Sequence, residues 1–255
     1  MGFTCGIIGL PNVGKSTIFN ALTGGHAEAT NYAFTSSQPN TGVVQVPDPR
    51  LDTISTLVEA KKTIYTTLEF VDIAGLAKGA SKGEGLGNKF LGNIREVDAI
   101  AHVLRCFENP NIPHVSEKID PKSDIEAINI ELIIADLEVL ERRKFKLQKI
   151  AKSGDPDARL QMDLIDRITK ALDDNLPARS VKLNNDQEMK KVKEYNLLTS
   201  IPVLYVCNIQ DPSEAGNEYV SAVEELAAEN IKVVVLAGKL ECEIRDIDDP
   251  EGRQV

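Results

Sequence analysis

An α/β fold, with a mostly parallel six-stranded sheet flanked by helices, is predicted by three features of the sequence. Six short β-rich apolar runs recur along the chain, helical stretches lie between most of them, and the first run passes through a glycine loop directly into a helix. A chain of 255 residues has room for one such domain carrying an inserted subdomain.

The elements follow in order. Phe3–Ile8 is the first strand, closed by Gly9, and Ser16–Leu22 reads as a helix. Gly42–Val46 and Thr66–Val71 form a β-hairpin, joined by a polar segment in which Asp48-Pro49 marks a turn. Ala99–Cys106, Val203–Cys207 and Val233–Leu236 complete the six. From about Asp120 to Ser200 the rhythm changes. Ile125, Ile128, Leu132, Ala135 and Val139 recur at steps of three and four, with Ile133, Leu137, Leu140 and Leu147 as a second line beside them. Two such lines predict one long helix with a wide buried face. Gly154-Asp155-Pro156 stops it, and a second helix runs from near Asp157 to about Leu172. The expected organisation is a sheet domain over 1–120 and 200–255, with a coiled-coil-like helical hairpin inserted over 121–199. Such a hairpin either only packs or serves as a docking arm; the cluster Arg142, Arg143, Lys144, Lys146, Lys149 and Lys152 favours docking.

Composition narrows the class. Hydrophobic residues make up 42% and charged residues 27%, as in globular proteins, and with no Trp the core is left to Ile, Val, Leu and Ala. A net charge of −10 argues against free duplex DNA or RNA as a partner for the whole surface, since phosphate binding draws on Lys and Arg. A local basic patch can still reach nucleic acid. Cys5, Cys106, Cys207 and Cys242 form no Cys-x-x-Cys pair and no cluster with the three histidines, so they read as reduced residues of an intracellular protein. The chain enters its first strand at once, leaving no room for a signal peptide, and no run approaches the ~20 apolar residues of a membrane span. A cytoplasmic location is expected, with no membrane partner.

The chemistry begins at Gly9-Leu10-Pro11-Asn12-Val13-Gly14-Lys15-Ser16-Thr17, a complete G-x-x-x-x-G-K-[ST] pattern. Glycines let the backbone curl so that its amides face phosphate oxygens, the lysine supplies a point charge, and Ser16 offers a hydroxyl to Mg²⁺. The helix that follows adds its positive end. The strand Leu68–Asp72 ends in an acid and continues Ile73-Ala74-Gly75, a D-x-x-G element that places a carboxylate just behind the magnesium ligands and a glycine amide against the γ-phosphate. Together they predict a magnesium-dependent nucleoside triphosphatase with Lys15, Asp72 and Gly75 at its catalytic centre. Glycines at 79, 83, 85, 87 and 92 suggest a segment ordered by nucleotide. Leu76 stands where many GTPases carry a water-orienting Gln, so slow intrinsic turnover is expected. Upstream, Asn31–Asn40 is placed to close over the γ-phosphate with one hydroxyl, from Thr35, Ser36 or Ser37.

Base choice is written less firmly. Asn208-Ile209-Gln210-Asp211 keeps the Asn and Asp of the guanine-reading N-K-x-D element but replaces Lys by Ile209, and Ala237-Gly238-Lys239 stands where S-A-K is usual. An aliphatic side chain can lie on any purine, which suggests relaxed or adenine-leaning specificity.

GLPNVGKST, the NYxF…PNxGVVxVPD segment (Asn31–Asp48), DIAGLxKGAxxGxGLGNxFL (Asp72–Leu91) and the helical hairpin together resemble the YchF or Obg-like ATPase family, from Met1 to about Ile247. The resemblance implies a TRAFAC-class P-loop fold, ATP preferred over GTP, Mg²⁺, and association with the ribosome or its large subunit. It carries nucleotide contacts onto Asn12, Val13, Gly14, Lys15, Ser16, Thr17, Asn208 and Ile209, and magnesium ligation onto Ser16 and the switch hydroxyl at Ser36, with Asp72 behind them. Two positions depart: the family switch has Thr at Ser36, and its base motif is N-x-x-E where this chain has Asp211. Asn12 matches the loop Asn that binds potassium in related GTPases, making K⁺ a candidate second cation. The family's C-terminal TGS domain has no expected counterpart in this sequence. The expected function is a slow ATP-hydrolysing switch on the ribosome; a GTPase or dual ATP/GTP switch, and a nucleotide-gated ribosome-binding module with incidental hydrolysis, are the alternatives.

Overall fold

The computed structural model describes residues 2–24, 39–74, 86–115, 118–152, 155–227 and 231–247. Six strands, β1 (Phe3–Ile8), β2 (Asn40–Gln45), β3 (Thr67–Asp72), β4 (Ala99–Arg105), β5 (Val203–Asn208) and β6 (Val233–Leu236), form one sheet in the order β2-β3-β1-β4-β5-β6. Every pairing is parallel except β2 with β3, which run antiparallel. All seven residues of β4 are buried because it lies inside the sheet with both faces covered. The expected α/β class and six strands are therefore present, with β1 and β6 at the expected bounds and the ends of the other four within two residues of them.

The helices are α1 (Lys15–Thr23), α2 (Pro49–Leu57), α3 (Leu86–Ile94), α4 (Pro121–Ala151), α5 (Pro156–Asp173), α6 (Asp186–Tyr195), α7 (Glu218–Leu226) and α8 (Gly238–Arg245). Two of them correct the sequence reading. Asp48-Pro49 does not make a hairpin turn: Asp48 is the N-cap of α2, its carboxylate accepting from Arg50 N at 3.0 Å, and Pro49 fills the first helical position, where its missing N–H costs nothing. No residue of α2 is buried: Leu51, Ile54 and Leu57 recur every three residues, but Ile54 and Leu57 are exposed, so the row packs against no core. The interval after Leu172 likewise holds a third helix, α6, capped by Asn185, whose side chain accepts from Glu188 N.

Between β4 and β5 the chain runs through α4, α5 and α6. Ile133, Leu140, Leu164, Ile165, Ile168 and Leu172 form a core of their own, closed by Val192, Tyr195 and Leu197. Ile128, Leu132 and Ala135, on the first half of α4, belong instead to the core beneath the sheet, with Ile7, Val71, Ile94 and Ile100. One long helix thus contributes to both cores. Asp136 fixes the junction: fully buried, its carboxylate accepts from Leu198 N, Thr199 N and Thr199 Oγ1 at 2.7–2.8 Å, in the turn that leads into β5. Gly154, expected to end α4, lies outside the described residues; Asp155 caps α5 through Ala158 N.

Cys5, Cys106 and Cys207 are buried and Cys242 half-buried, all as free thiols. Burial pushes the Cys5 thiol up to about 11, so it behaves as an apolar residue.

Candidate nucleotide-binding site

β1 delivers the chain to Gly9 at the carboxyl edge of the parallel strands, where open α/β sheets bind ligands. The loop from Gly9 to Gly14 depends on backbone that L side chains resist. Gly9 has φ 152° and a Cβ there would meet the Val103 carbonyl oxygen at 2.5 Å; Gly14 has φ 99° and a Cβ there would meet Asn208 Nδ2 at 2.2 Å. Asn12 adopts φ 63°, which Asn tolerates better than most residues. No side chain caps the N-terminus of α1, so its first amides are not taken up by a capping oxygen.

Lys15 is 9% exposed and donates Nζ–H to the Leu10 carbonyl at 2.8 Å, which holds its ammonium across the loop. Burial pulls its pKa below the usual lysine value, and the Asp72 carboxylate pushes back. Ser16 Oγ donates to Asp72 Oδ2 at 3.1 Å. Asp72 Oδ1 is buried and, among the described residues, has no hydrogen-bond partner. Burial raises the Asp72 pKa, against the Ser16 hydrogen bond and the Lys15 charge, which lower it. A buried carboxylate oxygen left unmatched beside a serine hydroxyl suits a hard cation or its water, which takes oxygen donors and completes its shell from phosphate. The residues present therefore fit a magnesium–triphosphate group.

Asn208 reaches this loop from the far end of β5. It is buried, Nδ2 donates to Val13 O at 2.9 Å, and Oδ1 accepts from Gly238 N at 3.0 Å. The amide is thus committed to binding two loops together. Ile209 is 3% exposed and packs with Leu104, Tyr205, Val220 and Val223 beneath the sheet, so its side chain is not presented as a platform for a base. Asp211 caps the turn Pro212–Glu214, its Oδ1 accepting from Ser213 N and Ser213 Oγ; the Ser213 hydrogen bonds hold its pKa below the usual carboxylate value. Val13 is buried, Thr17 half-buried with its carbonyl accepting from Cys242 Sγ, and Asn12 exposed. The Asn12 side chain donates to Pro113 O at 3.1 Å, in the loop after β4. Ser36, with Thr35 and Ser37, and also Gly75 and Leu76, lie outside the described residues.

The sequence reading overlooked Arg105. It ends β4, is 1% exposed, and donates to the carbonyls of Phe107, Asn109 and Ile112, shaping the loop that meets Asn12. A cation closing an otherwise apolar strand was the available signal. His102, also unassigned, is buried on β4 edge-on to Tyr205, and burial pushes it down to about 3, so it is neutral.

A strand, a complete phosphate-type loop, a helix, and an acid-tipped neighbouring strand bonded to the loop's serine define a P-loop nucleotide-binding domain of the GTPase type. Residues 4–142 match the family model of the 50S ribosome-binding GTPase. The "Ribosome-binding ATPase YchF" of Haemophilus ducreyi is 53% identical over 98% of this chain and 69% of its own length, and that of Bacillus subtilis 51% identical over the same shares. The solved Schizosaccharomyces pombe "YchF GTPase" superposes with a TM-score of 0.80 at 30% identity, covering 99% of this chain and 70% of that one. The chain belongs to the YchF family.

Proposed function

We propose that this protein is a Mg²⁺-dependent nucleoside triphosphatase, preferring ATP, that associates with the ribosome through its large subunit and switches state with its nucleotide. The observation that carries it is the Lys15–Ser16–Asp72 constellation at the mouth of the glycine loop, with one buried carboxylate oxygen left to be matched. Support for the partner and the base comes from the curated relatives, named ribosome-binding ATPases. Lys15 would exchange its Leu10 carbonyl for phosphate oxygens, and Val13, Gly14, Ser16 and Thr17 would present amides around them. Ser16 and the switch hydroxyl at Ser36 would hold Mg²⁺, with Asp72 orienting its water and Gly75 meeting the terminal phosphate. Mg²⁺, when bound, supplies charge neutralisation between the outer phosphates. Asn12 and Asn208 act on the nucleotide through the loops they fasten, and Ile209 through its backbone. K⁺ would take Asn12 Oδ1, since Nδ2 is the atom that donates to Pro113 O.

In this reading 1–120 and 200–255 are the nucleotide-binding unit and 121–199 the inserted arm, supported by the arm's separate core. A cytoplasmic location goes with the ribosome binding named for the curated relatives; among the described residues no helix is long and apolar enough to cross a membrane. GTP is the second reading, favoured by the Asp211 acid and by the GTPase named among the solved structures. Competition of ATP and GTP for a fluorescent nucleotide, with Mg²⁺ and with or without K⁺, decides between them. A GTP preference above tenfold overturns the ATP assignment. Ribosome pelleting of Lys15→Ala unchanged from wild type, with hydrolysis abolished, would replace the switch by a passive binding module.

A further inference from the structure

The basic cluster found in the sequence becomes a surface in the fold. Residues 142–152 contain six Lys or Arg and no Asp or Glu, on a chain whose net charge is −10. At ~1.5 Å per residue they form a strip about 15 Å long on the distal third of α4. Their side chains divide. Lys144 turns inward to Asp166, and Arg143 lies over the Tyr195 ring and donates to the Glu194 carbonyl. Arg142, Lys146 and Lys149 recur at steps of four and three, on the side of the helix away from buried Ile133 and Leu140, and all three are exposed, as is Lys152. Among the described residues none of these four is in an ion pair, although Arg142 Nε donates to the Glu138 carbonyl on its own helix.

Phe145 sits within this row. It is 65% exposed, and the Lys149 ammonium lies 5.5 Å from its ring centroid. A phenyl ring left in water among cations serves no packing purpose in the arm, whose core is formed from the opposite side of α4. Cations spaced along a rod, with an aromatic face between them, match the two needs of an unpaired nucleic acid strand: phosphate neutralisation and a stacking platform for a base. A shallow depression lined by Gln148, Ala151, Lys152, Arg159 and Met162 continues the strip across to α5 and adds one more cation.

We infer that the distal face of α4, formed by Arg142, Phe145, Lys146, Lys149 and Lys152, docks an unpaired RNA segment, its phosphates on the four cations and one base on Phe145. This deepens the proposed ribosome association by naming the chemistry of the contact, and it rests on that reading. None of these side chains touches the glycine loop, so RNA would be held at a site separate from the nucleotide.

The test uses the full chain and three variants: Arg142→Ala/Lys146→Ala/Lys149→Ala/Lys152→Ala, Phe145→Ser, and Lys146→Arg/Lys149→Arg. Circular dichroism and ATP affinity verify that each variant is folded. Binding of fluorescein-labelled oligo(U) is followed by anisotropy across a salt series, and co-sedimentation with ribosomes is run in parallel. The fourfold variant is expected to lose at least tenfold in oligo(U) affinity, with the slope of log K against log salt reduced by about 0.7 per phosphate contact removed. Phe145→Ser is expected to lose on the order of tenfold with the slope unchanged, and the Lys→Arg variant to bind like wild type. Equal oligo(U) affinity in wild type and the fourfold variant overturns the inference. So does a fourfold variant that fails to pellet with ribosomes yet binds oligo(U) normally, which would assign this face to a ribosomal protein. Wild type that binds oligo(U) through this face but never pellets with ribosomes leaves the RNA surface standing and removes the ribosome reading instead.

Discussion

At the scale of single residues, burial shifts the pKa values of groups at and beside the site. Burial raises the Asp72 pKa above 3.8, and magnesium needs the ionised form. Magnesium-dependent ATP binding is therefore expected to weaken as pH falls, and the Asp72→Asn variant should bind weakly by isothermal titration, keeping only the pH dependence that the terminal phosphate of ATP itself brings. The His102 pKa is shifted in the opposite direction, downward, and this bears on stability. Its folded-state value, about 3, lies below the ordinary 6.5, so the unfolded chain binds the extra proton between them. Stability is fully present above 6.5 and falls toward 3 by about 1.4 kcal/mol per pH unit from this residue. Urea denaturation of His102→Phe across pH 4–6 is expected to show that slope reduced by one proton relative to wild type. Asn208 supplies a third case. With Nδ2 on Val13 O and Oδ1 on Gly238 N, replacing it by Ala leaves two buried backbone groups unmet, at a cost of about 2–4 kcal/mol. Because the amide holds loops rather than a base, ATP and GTP affinities should fall by the same factor in a competition assay; a changed ratio would instead assign it to base reading.

At the scale of elements, the decisive junction is between α4 and the turn before β5. Three donors converge on the buried Asp136 carboxylate, whose pKa is raised by burial and lowered by the hydrogen bonds from Thr199 and Leu198. Asp136→Ala is expected to destabilise the protein by about 3 kcal/mol or more in urea denaturation, because Leu198 N and Thr199 N are left buried without acceptors. Asp136→Asn keeps one acceptor oxygen and should cost clearly less. Elements also mark where sequence reading works and fails. The two apolar lines of α4 identified a 31-residue helix because two cores pull on it. α2 reads as part of a turn because its start signals, Asp then Pro, are those of a turn as well, and its apolar row, Leu51, Ile54 and Leu57, is short and serves no core.

At the scale of the whole molecule, the arm and the sheet carry separate cores joined through α4. Leu164, fully buried among Ile165, Ile168 and Leu172, belongs to the arm alone. Leu164→Ala is expected to cost roughly 2–5 kcal/mol by urea denaturation. ATP affinity should stay within about twofold of wild type, since no arm residue in that cluster touches the glycine loop. A proportionate loss of nucleotide affinity would mean that the two cores behave as one cooperative unit.

What the sequence alone determined was local. The glycine loop, the acid at the end of β3, the individual strand-forming runs and the long helix each depend on residues close together in the chain, whose types and spacing already satisfy the geometry. Tertiary structure decided what depends on contacts across the chain: that Asn208 ties Val13 to Gly238, that Ile209 faces the core rather than open solvent, that Arg105 shapes the loop against Asn12, and which cations of α4 face outward. A hydrogen bond spanning 195 positions leaves no periodic trace in the sequence, because its partners are brought together only by the packing of the strands that carry them.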